Sequence, residues 1–500
     1  MKKYIDYMNE ISNDELYKAL LGYGLFADKL PPVFSSEAFY NYCINNNPTF
    51  AGNGRQYVYY ESMRNINIPR PLGIPVPMVY EKLCKCLSDN WDDIKQYFYK
   101  KTNKQKYKIS RIHIRKMYNR NEIFEMNYND WREDGSPENK LIYGMKYVVH
   151  ADISKCFQSI YTHSLSWALV GKSVAKQTKT QKKAWYNVLD HMTQINKDLE
   201  THGLIIGPHV SNVLSEIILC AVDEKLEKKW KFIRNIDDYI CYVKTEEDAE
   251  KFLVDLQEAL REYDLSLNHK KTQIDKLPNV MSQHWIRKIN AISLLTSYNK
   301  VNYINCRTYI DYAIEISEKE KGNASVLKYA IKTLSGQELT ENAKKYEKDM
   351  VFHLCVLYPY LVTLLDTYVF EKCDVAKEEI QKLSNTLYEQ GISKQLYEQA
   401  SYALYFSLKY DFELPISSET LINSQDCILL AMGYLYFKKK NNILEIDELK
   451  KYAKSLLGIQ EDFDKMWLFA YEILNQADLK DEWKTIKKAG VSFIRSEYYN

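Results

Sequence analysis

Asp237 and Asp238 stand side by side in KWKFIRNIDDYICYVK (Lys229 to Lys244), between two apolar runs, and Asp152 closes an apolar run, KYVVHADI (Lys146 to Ile153), about 85 residues earlier. Adjacent acids aimed at a common place repel one another unless a cation compensates. Hard divalent ions prefer such carboxylates, and two of them ~4 Å apart can serve nucleotidyl transfer, one activating a hydroxyl and one neutralising a triphosphate. The expectation is therefore a site in which Asp152, Asp237 and Asp238 hold two Mg²⁺ or Mn²⁺ ions. A paired acid by itself marks an exposed turn more often than a site, and it is the match to a second strand-end acid that raises the chemical reading.

Strands must carry these acids. KYVVHADI predicts one strand, the Lys229 to Lys244 segment a hairpin with the acids at its tip, and EEDAEKFLVDLQEALREYDL an amphipathic helix after it. REDGSPENK (Arg132 to Lys140) predicts a turn before the first strand. Beyond about residue 300 strand signals fade. TYIDYAIEISEKEK, ASVLKYAIKTLS, SKQLYEQASYALYFSLKY and FDKMWLFAYEILNQA all place apolar residues at helical spacing, which predicts stacked antiparallel helix pairs. The expected organisation is an N-terminal helical segment over 1–55, an α+β unit over 56–300 and an all-α, helical-repeat (HEAT-like) domain over 301–500.

A chain of 500 residues with 46% apolar content exceeds what one core usually serves. The opening MKKYIDYMNEISNDELYKALL is broken by polar residues throughout, unlike a secretory leader, and the longest apolar stretch, Val351 to Phe370, carries His353 and Asp366. A buried helix is expected there, with no membrane span and a cytoplasmic address. Ten scattered cysteines with no paired zinc spacing fit reduced, buried thiols. Net charge is only +2, but roughly +7 falls in the first 300 residues and roughly −5 in the rest, an asymmetry suited to a polyanion on one part alone. Basic residues cluster from Lys100 to Arg120 and from Gly171 to Trp185. In the first cluster Lys106, Tyr107, Lys108, Arg111, Arg115 and Tyr118 mix cations with aromatics, as a channel for a single strand would, although a solvated surface segment accounts for it equally well.

HADISKCFQSIYTHSL resembles motif A of reverse transcriptases, and NIDDY resembles their motif C, with Asn235 in place of the usual aromatic. GLIIGPHVSNVLSEIIL (Gly203 to Leu219) is similar to motif B, with Gly207, Pro208, Ser211 and Asn212 at its turn. LSLNHKKT is similar to motif D, and RPLGIPVP (Arg70 to Pro77) to a fingers segment. The resemblance implies reverse-transcriptase palm and fingers in which Asp152, Asp237 and Asp238 bind metal and Lys271, in preference to Lys270, protonates the leaving pyrophosphate. It further implies that Arg70 faces the triphosphate, that Ile153, Gly207, Pro208 and Ser211 line the nucleotide site, and that Phe157 excludes a 2′-hydroxyl and so selects dNTPs.

YTHSLSWALVGKSVAKQTK and LPPVFSSEAF, together with the helical C-terminal part, resemble the abortive-infection reverse transcriptases of bacteria, the family containing AbiK. That narrower resemblance implies phage defence, a homo-oligomer, and untemplated DNA synthesis primed by the protein, leaving a covalently attached DNA product. A tyrosine hydroxyl reaching the first metal could replace a primer's 3′-hydroxyl. Tyr4, Tyr7, Tyr17 and Tyr23 are the candidates. Two alternatives stay open, an RNA-templated, retron-like reverse transcriptase that uses a bound RNA and a catalytically idle scaffold acting through the helical domain.

Overall fold

The computed structural model describes residues 2–64, 69–111, 114–117, 121–123, 137–278, 284–292, 296–297, 300–320 and 322–498. Tyr118 and the first five residues of the expected turn, 132–136, lie outside them. Six strands position the acids. β1 (Tyr57–Ser62) and β2 (Arg70–Pro75) form an antiparallel hairpin, whereas β3 (Tyr147–Asp152), β4 (Phe232–Asn235), β5 (Asp238–Val243) and β6 (Gln273–Lys276) form an antiparallel sheet in the order β4-β5-β3-β6. In β3, Val148, Val149 and Ala151 are buried on both faces of the sheet, as expected of a central strand.

One sheet face is covered by the helix Glu246–Arg261, whose Phe252 packs against Trp230 and Phe232. Its start is fixed by Thr245, whose side chain accepts the amide of Asp248. Beside it runs Val210–Leu226, buried along nearly its whole length and braced by Tyr97, whose hydroxyl donates to the carbonyl of Ile217. Strand, hairpin and helix here follow the apolar periodicity of the sequence.

Helices make up the chain after Val301, from Tyr303–Lys319 to Asp481–Lys488. The apolar stretch Val351 to Phe370 is not one buried helix. Its helix ends at Leu357, and Pro359, which cannot extend it, opens a 3₁₀ turn over Pro359–Leu364 that a π turn, Asp366–Phe370, follows. No helix among the described residues is long and apolar enough to cross a membrane. All ten cysteines are free, and all but Cys373 are buried.

The two ends of the chain meet. Phe34 bridges Ile494, the amide of Arg495 donates to Val33, and Phe493 packs its ring on Phe39, Trp467 and Tyr471. The hydrophobic core thus runs without interruption from the N-terminal helices through the sheet into the C-terminal helices. Arg55, just before β1, forms a two-pronged ion pair with Asp464, at 2.6 Å from Nη2 to Oδ1 and 2.8 Å from Nε to Oδ2, and the Asp464 side chain is 1% exposed. Removing one member of such a pair strands the other's charge. Asp464→Ala is expected to lower unfolding free energy by about 3–5 kcal/mol, read from the midpoint of a urea titration, whereas a loss under ~1 kcal/mol would show the pair to be solvated.

Candidate active site

The register of the sheet assembles the acids. Asp152 is the cross-strand partner of Asp238, and the amide of Ile153 donates to the carbonyl of Asp237 at 3.1 Å. Asn235 and Asp238 close the β4–β5 hairpin across two residues, Ile236 and Asp237. Ile236 has φ 56, in the left-handed region that a β-branched side chain rarely tolerates. Such a residue costs on the order of 1–3 kcal/mol and persists only where its surroundings impose it.

Arg234 imposes it. Its Nη1 donates to the carbonyl of Ile236 at 2.9 Å, while Nε and Nη2 grip Asp223 at 2.9 and 2.6 Å and Nη1 meets Glu216 at 3.0 Å. None of the three side chains is more than 1% exposed. Burial pushes the Asp223 carboxyl above its ordinary range although Arg234 pulls it down. Sequence reading missed this knot, yet it leaves a signal: Glu216 and Asp223 lie seven residues apart, on one face of a helix otherwise apolar at its centre, and Arg234 stands in the next strand three residues before Asp237.

The three acids differ in setting. Asp152 is buried and fully engaged: Lys271 Nζ lies 2.7 Å from Oδ2, Asn268 Nδ2 donates to Oδ1 at 3.0 Å, and the Asn268 amide donates to the Asp152 carbonyl at 2.7 Å. The bond to Asp152 raises the Lys271 ammonium above its usual value. Burial, followed by the charge of Asp152, raises Asp237. Asp238 is pushed up to about 7 by desolvation of its carboxyl and then by Asp237 and Asp152, although its side chain reaches the surface. Among the described residues no three His, Cys, Asp or Glu side chains stand arranged to hold a metal ion. The donor set nevertheless fits one, because three carboxylates share a small volume and their unrelieved repulsion is what a divalent cation would remove.

The other expected site residues gather around this point. Arg70, at the start of β2, is near enough for its charge to lower Asp237. Phe157 lies half-buried in the short helix Cys156–Ser159, and its carbonyl accepts the amide of Leu204 at 2.7 Å, tying it to the turn that follows. In that turn Gly207 has φ 129, and a Cβ there would stand 3.1 Å from the carbonyl of Gly73, so glycine is required for the hairpin to dock. Ser211 Oγ donates to the carbonyl of Ile205 at 2.6 Å, and Pro208 is buried beside it. Ile153 is buried and contributes main chain, while Lys270 is exposed. Asn268 was not foreseen.

Two expectations need correction. The Lys100 to Arg120 segment does not form an open channel in its described part. Tyr107 donates its hydroxyl to the carbonyl of Phe232, Ser110 bridges Arg234, and Lys108, Arg111 and Arg115 are buried, because the segment pairs with the edge of β4. Nor are most of the candidate priming tyrosines at the surface, where a hydroxyl could be presented to the acids. Tyr4, Tyr7 and Tyr17 are core residues, Tyr17 donating to Glu81 at 2.8 Å, and only Tyr23 is partly exposed, its hydroxyl on Glu37 at 2.6 Å. Burial raises Tyr4, Tyr17 and Tyr23 above the ordinary phenol value.

Residues 94–304 match the family model of reverse transcriptase, described as RNA-dependent DNA polymerase. This region holds the three aspartates, Phe157, Gly207 and Lys271, and leaves Arg70 outside. No curated protein matches the chain. Among solved structures it is similar to apo telomerase from Candida tropicalis, at 11% identity over 81% of this chain and 73% of that one, with a TM-score of 0.34. It is also similar to telomerase from Candida albicans in complex with a fragment of telomeric RNA, at 10% identity over 74% and 62% of the two chains, with a TM-score of 0.27.

The electrostatics of Asp238 have a measurable consequence. With a folded value near 7 against ~3.9 when unfolded, this carboxyl binds a proton more tightly in the folded state, so its contribution to stability falls as pH rises from about 4 to 7. Asp238→Asn should therefore raise the thermal midpoint of metal-free protein at pH 8, leave it nearly unchanged at pH 4, and lose its advantage at pH 8 when Mg²⁺ is added. A lower midpoint at pH 8 in EDTA would refute the repulsion argument.

Proposed function

We propose that this chain is a DNA polymerase of the reverse-transcriptase type, with palm and fingers in residues 56–300 and a HEAT-like helical-repeat domain in 301–500. The observation that carries the reading is the convergence of Asp152, Asp237 and Asp238 on one strand end, with Lys271 against them. Asp152, Asp237 and Asp238 would hold two Mg²⁺ or Mn²⁺ ions, which when bound supply charge neutralisation for an attacking hydroxyl and a leaving pyrophosphate. On this reading Lys271 gives a proton at the leaving side, Arg70 receives phosphate oxygens, and Phe157 crowds a 2′-hydroxyl. The turn at Gly207 lets backbone approach the nucleotide.

Antiphage defence, a homo-oligomeric assembly and DNA synthesis primed by the protein without a template are the finer parts of this proposal, supported by the sequence resemblance. Priming requires a hydroxyl that can reach the metals. Of the four N-terminal candidates Tyr23 meets that requirement best, since the other three would have to leave the core. The description of the matching family as RNA-dependent favours a second reading, synthesis on an RNA template.

Purified protein incubated with dNTPs and Mg²⁺ but no nucleic acid separates the two. DNA that remains attached to the protein, located by mass spectrometry of the nucleotide-bearing peptide, is the expected result, and synthesis only after RNA is added would select the templated reading. Asp237→Asn should reduce incorporation by roughly a thousandfold or more without lowering the melting midpoint; persistent defence against phage in that variant would instead favour a scaffold. Phe157→Val should admit ribonucleotides, detected as alkali-labile product, and unchanged sugar selectivity would remove Phe157 from the gate.

A further inference from the structure

Between the two halves of the active site the chain makes an excursion that polymerisation chemistry does not use. Helices His163–Val170, Lys172–Gln177 and Trp185–Ile195 enclose a cavity of about 870 Å³, within the ~300–1,000 Å³ typical of ligand sites. One wall is aromatic. Tyr161, half-exposed, lies 4.8 Å from the ring of His163, 5.6 Å from Trp167 and 5.2 Å from His202. The lining also carries Lys176, Lys179 and Lys182, all exposed. From Gly171 to Trp185 the chain has five lysines and no acidic residue. Lys172 sits 4.0 Å over the Trp167 ring, which holds that ring toward the basic side.

An acid also faces the cavity. Asp190 is buried, but His163 Nδ1 is paired with one of its oxygens and Gln194 Nε2 donates to the other at 2.7 Å, so its charge is spent inside the wall. The bond to Asp190 raises the His163 imidazole above its usual value, which favours a His163–Asp190 pair with no net negative charge on the cavity wall.

We propose that this cleft binds one strand of nucleic acid, with a base against Tyr161 and Trp167 and successive phosphates on Lys176, Lys179 and Lys182. Flat aromatic faces beside spaced cations suit a stacked base and its backbone without regard to sequence. Three lysines on the lining, with Lys172 and Lys183 in the same segment, exceed what a single nucleotide would use, which favours a strand over a free nucleotide. Position supports this too. Tyr161 is four residue steps after Phe157, so their Cα atoms lie within roughly 14 Å, and a strand leaving the aspartates would reach the cleft within a few nucleotides. Tyr161 also bridges His202, on the segment that runs into the Gly207 turn.

The proposal rests on the polymerase reading for the origin of the strand, and its test is kept separate from synthesis. Binding of fluorescent dT₂₀ and rU₂₀ is measured by anisotropy with the full chain carrying Asp237→Asn and no dNTPs. Adding Lys176→Gln and Lys179→Gln, both at exposed positions, should weaken binding roughly 25-fold at 0.1 M salt and reduce the log–log salt slope by about 1.4, if each lysine neutralises one phosphate of a single strand. A photoreactive thymine in dT₂₀ should cross-link to the peptide holding Tyr161 and Trp167. Unchanged affinity and slope in a protein with an unaltered melting profile would overturn the proposal. Competition by dTMP as strong as by dT₂₀ would overturn it in favour of a free-nucleotide site.

Discussion

The guanidinium of Arg234 is the point on which the site depends. It lies sealed beneath the β4–β5 turn, bonded to two carboxylates of the Val210–Leu226 helix and to the carbonyl of Ile236. A buried ion pair contributes little net stability, because desolvation offsets most of the attraction. Its value here is geometric. Ile236 would relax out of the left-handed region if its carbonyl were free to turn, and Asp237 and Asp238 would then no longer share a strand end with Asp152. The backbone of Arg234 donates its amide to the carbonyl of Ile109 and accepts the amide of Arg111, so one side chain and its main chain join the turn, the helix and the sheet edge.

Held this way, the acids stand closer than their charges favour. Desolvation and their repulsion push Asp238 up to about 7, and Asp152 is satisfied by Lys271 and Asn268. An ammonium group thus serves as counter-ion where a divalent cation would bind more strongly. With a divalent cation held by the acids, Lys271 would keep less of the Asp152 contact that raises it, and its proton would be held less firmly. Repulsion among the acids and the readiness of Lys271 are therefore linked by the shared carboxylate of Asp152.

Much of this was legible in the sequence, for a physical reason. Where one face of a strand or helix must be apolar, periodicity reveals the element, so the strand ending at Asp152, the hairpin around Asp237 and the helix over Glu246–Arg261 follow directly. Long-range pairing leaves no such trace. Lys108, Arg111 and Arg115 look solvated until β4 is seen to take their backbone as a neighbour, and Tyr4 and Tyr7 look peripheral until helix Trp91–Thr102 is seen to receive them. Tyrosine is a poor marker of exposure because its ring is apolar and its hydroxyl can be satisfied inside. The Arg234 knot escaped for a related reason: charged residues on an apolar helix face stand out only when their partner is known.

The C-terminal helices bear on the chemistry through the β1–β2 hairpin. β1 is fastened at its start, where Arg55 meets Asp464, and at its end, where Glu398 accepts the amide of Met63 at 2.7 Å and the hydroxyl of Ser62 at 2.9 Å. Ser62 is the cross-strand partner of Arg70, and Gly73 of the same strand donates its amide to Ile206 at the Gly207 turn. Arg70 is therefore suspended between the helical part on one side and the Gly207 turn on the other. A hairpin fixed at both ends can move only if those contacts break or if the helices move with it. Whatever displaces the helical part, a partner or a second copy of the chain, would thus be felt at Arg70 through two ion- or hydrogen-bonded joints with no need for contact with the aspartates, which is the physical form that control of this site from the helical part would take.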